Sequence, residues 1–477
     1  MENMQNKENR PVNPRRRKRT KMEIFKESYL PVIIVGFTVL FILVTIIGSA
    51  IQGSKRKQAI EEETAKQESI AAEEERKRLA AEAFEVLNTA NTYAASYNYA
   101  EAITALEGFS GNLADFPQLN DAHRRFTAAL ETMVAWEDPS QVVNLSFQLL
   151  IADPARAFVD KTYGNSYNRN FVTIDEFRLI LDQLYNNGYI LVSLDDIVEL
   201  KETDGVTQYA AKTLYLPEGK KPLILTQTHV NYNIFMTDGN GDKLPDKNGA
   251  GFASKLILDE SGKLVNEYID SEGNTLTGEY DLVPILNSFI ATHPDFSYCG
   301  AKAIIAVTGY DGLFGYRTNT SAAGWQGAEV YAQQIEGAKK IAQALRDDGY
   351  DIACYTYENK AYGKMTTAQM QADLKKWNDE VVPILGTVDI MAFAQISDIS
   401  GQAAYSGEKF DALMDSGFRY YLGFCTNGTP WASIGTDHFR QARILVTGSN
   451  MKYNAGWFEG IFDPSTVLTD VRGNIPQ

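Results

Sequence analysis

From residue 142 onward, short apolar runs alternate with amphipathic stretches. "VVNLSFQLLI" (residues 142–151) reads as a strand, "TIDEFRLILDQLYNNGY" as a helix stopped by Gly188, and "ILVSLDDIVEL" as a strand leading into a capped turn. The pattern then recurs: strand Leu223–Thr226, helix Leu282–Ala291, strand Ala303–Val307, helix Ala328–Arg346, strand Asp351–Tyr355, helix Thr367–Val382, strand Val388–Phe393, helix Lys409–Asp415 and strand Tyr420–Phe424. Strands that alternate with helices are parallel strands with the helices outside them. Residues 142–477 are therefore predicted to be α/β, most simply an incomplete or distorted (β/α) barrel; an open doubly wound sheet is the other arrangement of the same elements. No G-x-G-x-x-G or P-loop follows any of these strands, which argues against nucleotide binding.

Ahead of this region the pattern differs. Residues 31–51, "PVIIVGFTVLFILVTIIGSAI", contain no charge and are long enough to cross a hydrocarbon core as a helix. A transmembrane helix is predicted over 31–52; a cleaved signal peptide, the rival reading, normally has a shorter apolar region. Residues 1–30 form a basic tail, with nine Lys/Arg against four Glu. By the positive-inside rule the amino terminus is cytoplasmic, and everything beyond the span is extracytoplasmic at the cell membrane. Residues 53–137 predict a helical stalk. Its first part, "QAIEEETAKQESIAAEEERKR", has too few apolar positions to fill a coiled-coil seam, whereas residues 80–137 show denser helical periodicity, with one tetratricopeptide-like stretch at "YNYAEAITAL". A single such unit cannot bury its own face, so the stalk either packs on the next domain or receives a protein partner.

Charge and cysteine content narrow the classes further. The formal net charge is −16, and with +5 in the first 30 residues the remainder carries −21, which disfavours a nucleic-acid partner. Three cysteines, Cys299, Cys354 and Cys425, make neither a zinc-type pair nor a complete disulfide framework.

Several stretches carry a family resemblance: "YNRNFVTIDEFRLILDQLYNNGYILVSLDDI", "KPLILTQTHVNYN", the long segment from "GFASKLILDE" to "GLFGYRT", and "VVPILGTVDIM". Together, over roughly residues 142–467, they resemble polysaccharide deacetylases of the NodB-homology type, in particular a membrane-anchored branch from Gram-positive bacteria. The resemblance implies hydrolysis of N-acetyl groups on cell-wall sugars by a divalent metal held by one Asp and two His, with a second Asp as base. At the matching positions this chain departs from that set. The base Asp falls on Thr228 and the metal Asp on His229; the two His fall on Tyr355 and Asn359; of the third motif only Asp398 is in step. His438 is out of register, and His123 and His293 lie elsewhere. The resemblance therefore implies a deacetylase homologue with a degenerate site that binds glycan. An active hydrolase with a divalent metal rebuilt around His229 and Asp398, and a non-enzymatic envelope scaffold, are the alternatives. The residues themselves imply no cofactor.

Aromatic residues near strand ends, together with one arginine, make a candidate glycan groove: Tyr232, Tyr316, Arg317, Tyr355 and Trp431. In "TDGNGDKLPDKNG", Asp238, Asn240, Asp242 and Asp246 are spaced like the start of a calcium loop, but Lys243 and Gly249 stand where an EF-hand has Gly and Glu; a surface turn fits the same residues. Cys354 has no partner His in its motif and reads as a small buried residue rather than a nucleophile.

Overall fold

The computed structural model describes residues 53–136 and 138–477, so the predicted basic tail and membrane span lie outside the described residues. Among the described residues no helix is long and apolar enough to cross a membrane. The chain divides into two compact units, one up to Ala80 and one from Ala81 on.

The second unit is built on a barrel. Its strands are β1 (Val143–Phe147), β2 (Tyr189–Leu191), β3 (Lys221–Thr228), β4 (Ala303–Val307), β5 (Asp351–Cys354), β6 (Ile390–Ala392), β7 (Tyr420–Phe424) and β8 (Phe439–Leu445). Seven of them close on themselves with every pairing parallel, in the order β1, β3, β4, β5, β6, β7, β8 and back to β1. Closure rules out the open doubly wound sheet. The short β2 pairs with the first residues of β3 (Leu191 opposite Leu223), on the edge that β4 takes further along (Ala303 opposite Leu225). It is a partial eighth strand wedged at the bottom of the barrel, and this is the distortion expected from the sequence.

The strand alternation sorts side chains into two layers. On β3, Leu223 and Leu225 join the large cluster between barrel and helices, while Ile224 joins a smaller interior cluster with Ile304, Ile390, Leu422 and Phe439. The outer layer is covered by α4 (Ile174–Asn186), α5 (Leu282–Thr292), α6 (Ala328–Asp347), α7 (Thr367–Lys376) and α8 (Glu408–Asp415). On α4 the apolar positions Phe177, Ile180, Leu181 and Leu184 are all fully buried, as its periodicity demands, and Phe177 meets Phe147 of β1 edge to face at 5.1 Å. A capping box starts this helix: the Thr173 hydroxyl accepts from the Glu176 amide, and the Glu176 carboxylate accepts from the Thr173 amide. The single helix predicted over 367–382 is broken: α7 ends at Lys376, a π-turn spans Trp377–Val381, and a short helix follows over Val382–Leu385, where Pro383 sits in the first turn.

Going toward the carboxyl ends of the strands, the barrel interior turns polar. Asn144 accepts from the Thr226 hydroxyl (2.9 Å) and donates to the Gln441 side chain (2.9 Å), which in turn donates to the Val142 carbonyl. Above this trio stand Ser146, Thr228, Tyr355 and Arg443. Every polar group is paired within the trio, which is what a buried position requires.

Ahead of the barrel the predicted stalk is helical, with α1 (Gly53–Ala95), α2 (Tyr99–Glu107) and α3 (Pro117–Glu131). Tyr99 stacks on Phe126, closing α2 against α3. The turn after α1 is joined to the barrel unit by the Ser96 carbonyl, which accepts from the Cys299 amide at 2.8 Å. A short strand, Val134–Trp136, pairs antiparallel with Leu214–Leu216. Two antiparallel additions decorate the barrel: a hairpin of Val198–Thr203 with Val206–Ala211, and a three-stranded sheet of Lys255–Leu258, Leu264–Ile269 and Thr275–Gly278.

Candidate functional site

At the carboxyl end of β3 the chain leaves Thr228 and turns sharply. His229 adopts a left-handed backbone (φ 63°), and so do Thr356 and Asn359 after β5 and Gln395 and Ile396 after β6. Non-glycine residues avoid this region unless the surrounding structure holds them there. Here the held residues surround a cavity of about 480 Å³, which His229, Asn359, Gln395 and Ile396 line together with Thr228 and Tyr355. Its outer wall is aromatic, with Tyr163, Tyr167 and Phe235 from the loops that follow β1 and β3. The location at the carboxyl mouth is where a parallel barrel places ligands.

His229 is packed edge to face against Tyr355, ring centroids 4.7 Å apart, and its Nδ1 lies 3.3 Å from the Thr228 hydroxyl. Burial pushes its imidazole pKa down to about 4; Asn359 opposes the shift through a hydrogen bond and the cation of Arg443 adds to it. At neutral pH the ring is uncharged. Arg443 itself is fully buried on β8 and has no carboxylate partner among the described residues. It donates to the carbonyls of Gly423 (3.2 Å) and Phe393 (2.6 Å) and, at 3.4 Å, to the Ser146 hydroxyl. Its guanidinium also lies 4.7 Å from the Phe424 ring centroid and 5.8 Å from that of Tyr355. Burial lowers its pKa to about 10, which still leaves it charged at neutral pH.

The structure brings together four of the five positions where a deacetylase would carry its catalytic set: Thr228, His229, Tyr355 and Asn359 all line this cavity. Asp398 does not join them. It lies in an adjoining cavity of about 630 Å³, where its carboxylate accepts from the amides of Ser400 and Gly401 and from the Tyr405 hydroxyl (2.7 Å). A divalent metal does not fit this donor set. No carboxylate lines the cavity around His229, its one imidazole is His229, and among the described residues no three His, Cys, Asp or Glu side chains gather to hold an ion. His438 is remote from the cavity, held by Asp437 and packed against Tyr405 and Phe410.

The groove candidates separate as well. Tyr355 lines the central cavity and Trp431 the adjoining one, with Arg440 over the Trp431 ring at 5.0 Å. Tyr232 and Arg317 are structural and do not belong in a groove. Tyr232 is fully buried and donates to Asp281 at 2.8 Å, because its left-handed backbone (φ 49°) turns the ring inward. Arg317 is buried beneath the loop it ties, donating to the carbonyls of Asn231, Asp311 and Tyr232. Tyr316 lines neither cavity; its ring is under Lys255 and presses on Gly337, where a Cβ would come within 2.1 Å of it. The Asp238 loop is a chain of tight turns: Asp238 accepts from the amides of Asn240, Gly241 and Lys243, Asn240 from that of Asp242, Asp242 from that of Leu244, and Asp246 from those of Gly239 and Asn248. Cys354 is fully buried, and burial drives its thiol pKa well up, away from nucleophile chemistry.

Among the cavity residues that escaped the sequence reading are Tyr167, Arg169, Asn233 and Gln395, and with them Arg443, which stands behind the wall. Arg443 had a signal, since Phe439, Gln441 and Arg443 alternate in "FRQARIL" as the inward face of a strand would. Tyr167 and Arg169 lie on a short helix, Gly164–Asn170, and Asn233 and Gln395 on loops, all too short for periodicity to mark the inward side.

Comparison with known proteins adds little to this geometry. No protein-family model matches the chain, and no curated protein matches it. Among solved structures, a deacetylase, PplD, from Streptococcus pyogenes in complex with acetate aligns over 67% of this chain and 95% of its own, at 12% identity and a TM-score of 0.33. The class is defined by the strand pairing itself: a closed parallel (β/α) barrel with a cavity at its carboxyl mouth, the barrel expected from the alternation of strands and helices.

Proposed function

We propose that the protein is a membrane-anchored, extracytoplasmic deacetylase homologue that binds cell-wall glycan without hydrolysing it. The observation that carries this reading is the composition of the mouth cavity: aromatic rings, amides and hydroxyls, one uncharged imidazole and no carboxylate. Rings and amides suit sugar faces and hydroxyls. Removal of a proton from a water needs a base with a pKa near the working pH, and neither Thr228 nor an imidazole at about 4 supplies one.

The test uses the full chain in detergent, titrated calorimetrically with chitin-type and peptidoglycan fragments and assayed for acetate release with and without added zinc. Weak binding without acetate is expected. Tyr355→Ala should weaken binding by about 1 kcal/mol, the scale of one aromatic contact. Zinc-dependent acetate release that is lost in His229→Ala would overturn the reading. Absence of binding to every fragment, with a membrane partner retained through residues 53–137, would favour the scaffold.

A further inference from the structure

We infer that the glycan held at the barrel mouth carries a negative charge, as a carboxylate or a phosphate on the sugar. This rests on the glycan-binding reading and specifies its ligand.

The chain holds 61 Asp and Glu against 45 Lys and Arg, yet no acidic side chain lines this cavity. The carboxylates nearby do not line it and are held by backbone amides: Asp160 accepts from those of Thr162 and Tyr163, and Asp311 from that of Ile234. Positive charge reaches the cavity from two sides. Arg169 lines it, is exposed, and has no ion pair among the described residues. Arg443 stands directly behind Ser146, Tyr355 and Phe424, which form part of the wall. All its acceptors are neutral, so no ion pair cancels its charge at the wall, and a low-dielectric wall strengthens its field.

Two orphaned polar atoms in the lining indicate what completes the site. Tyr167 OH and Asn233 Oδ1 are buried and have no partner among the described residues, and both residues are only 2% exposed. Buried polar groups seldom stay unpaired. The Asn233 amide oxygen calls for a donor, which a sugar hydroxyl provides; the Tyr167 hydroxyl calls for an acceptor, which an anionic oxygen provides best. An amino sugar, cationic at neutral pH, meets the wrong field.

Four oligosaccharides of equal length decide the matter, each titrated against the full chain in detergent: a neutral N-acetylglucosamine oligomer, its deacetylated cationic counterpart, an oligomer alternating N-acetylglucosamine with glucuronic acid, and a phosphorylated N-acetylglucosamine oligomer. At least one anionic probe should bind about tenfold or more tightly than the neutral one, with an advantage that shrinks as salt rises, and the cationic probe should bind weakest. Which anionic probe leads distinguishes carboxylate from phosphate. Arg169→Gln should lower the affinity for the anionic probe severalfold more than that for the neutral one; being exposed, this residue can be replaced without loss of the fold. Arg443→Lys, which keeps the buried charge, should preserve the order of the probes. Neutral binding equal to or tighter than anionic binding overturns the inference and leaves glycan binding standing. Failure of all four probes overturns the glycan reading itself, and the inference with it.

Discussion

His229 occupies the position at which a catalytic reading and a structural one diverge most. It has the ring a metal would want, yet it is held in a left-handed backbone against Tyr355, with an arginine behind it in place of a carboxylate. Its depressed pKa has a consequence for stability. Between the folded value of about 4 and the unfolded value of 6.5, the unfolded chain binds a proton that the folded chain refuses. The contribution is complete above the unfolded value and is lost as pH falls through this window, amounting to at most roughly 3 kcal/mol. His229→Gln, which cannot be protonated, should therefore flatten the acid side of the stability profile. Urea unfolding of both proteins at neutral pH and at about pH 4.5 measures the difference, and equal losses in the two would contradict the assignment.

Among the elements, α4 shows how one side chain can serve a helix and the chain end together. Glu176 closes the capping box of this helix and also receives Arg472 from the carboxyl-terminal segment, through Nε at 2.6 Å and Nη2 at 2.5 Å, with both side chains out of solvent. Glu176→Gln removes the negative charge and strands a buried guanidinium. A loss of about 3–5 kcal/mol is expected, read as a lower urea midpoint at unchanged slope. A surface-sized effect would mean that Arg472 finds other partners. The helix itself was legible in the sequence, because its apolar positions recur with helical period and Gly188 stops it. So were β4 and β7, whose apolar runs end where the strands end. β8 was not legible. Its inward face bears Gln441 and Arg443, polar residues whose partners come from β1, β7 and the turn after β6, so the alternation in "FRQARIL" is there but lacks the apolar run that marks the other strands. Thr228, His229, Tyr355 and Asn359 could be placed by motif, whereas Tyr167, Asn233 and Arg169 come to the cavity, and Arg443 to its wall, only through the fold.

For the whole molecule, the uncharged run at 31–51 and its basic amino flank make topology the property to test. A protease added to intact cells should digest the carboxyl portion and spare the first 30 residues, as followed with tags at each end. Digestion of the amino-terminal tag alone would reverse the orientation. The closure of the barrel bears on how this molecule comes to exist. β1 begins at Val143 and waits for β8, which ends at Leu445, and the buried Arg472 comes later still. Until those residues have emerged from the ribosome, β1 and β7 each offer a bare edge to any passing strand. The barrel therefore cannot close before Leu445 has emerged. A chain released short of that point is an open sheet prone to sticking to its neighbours, and its protection from them has to last until β8 has paired.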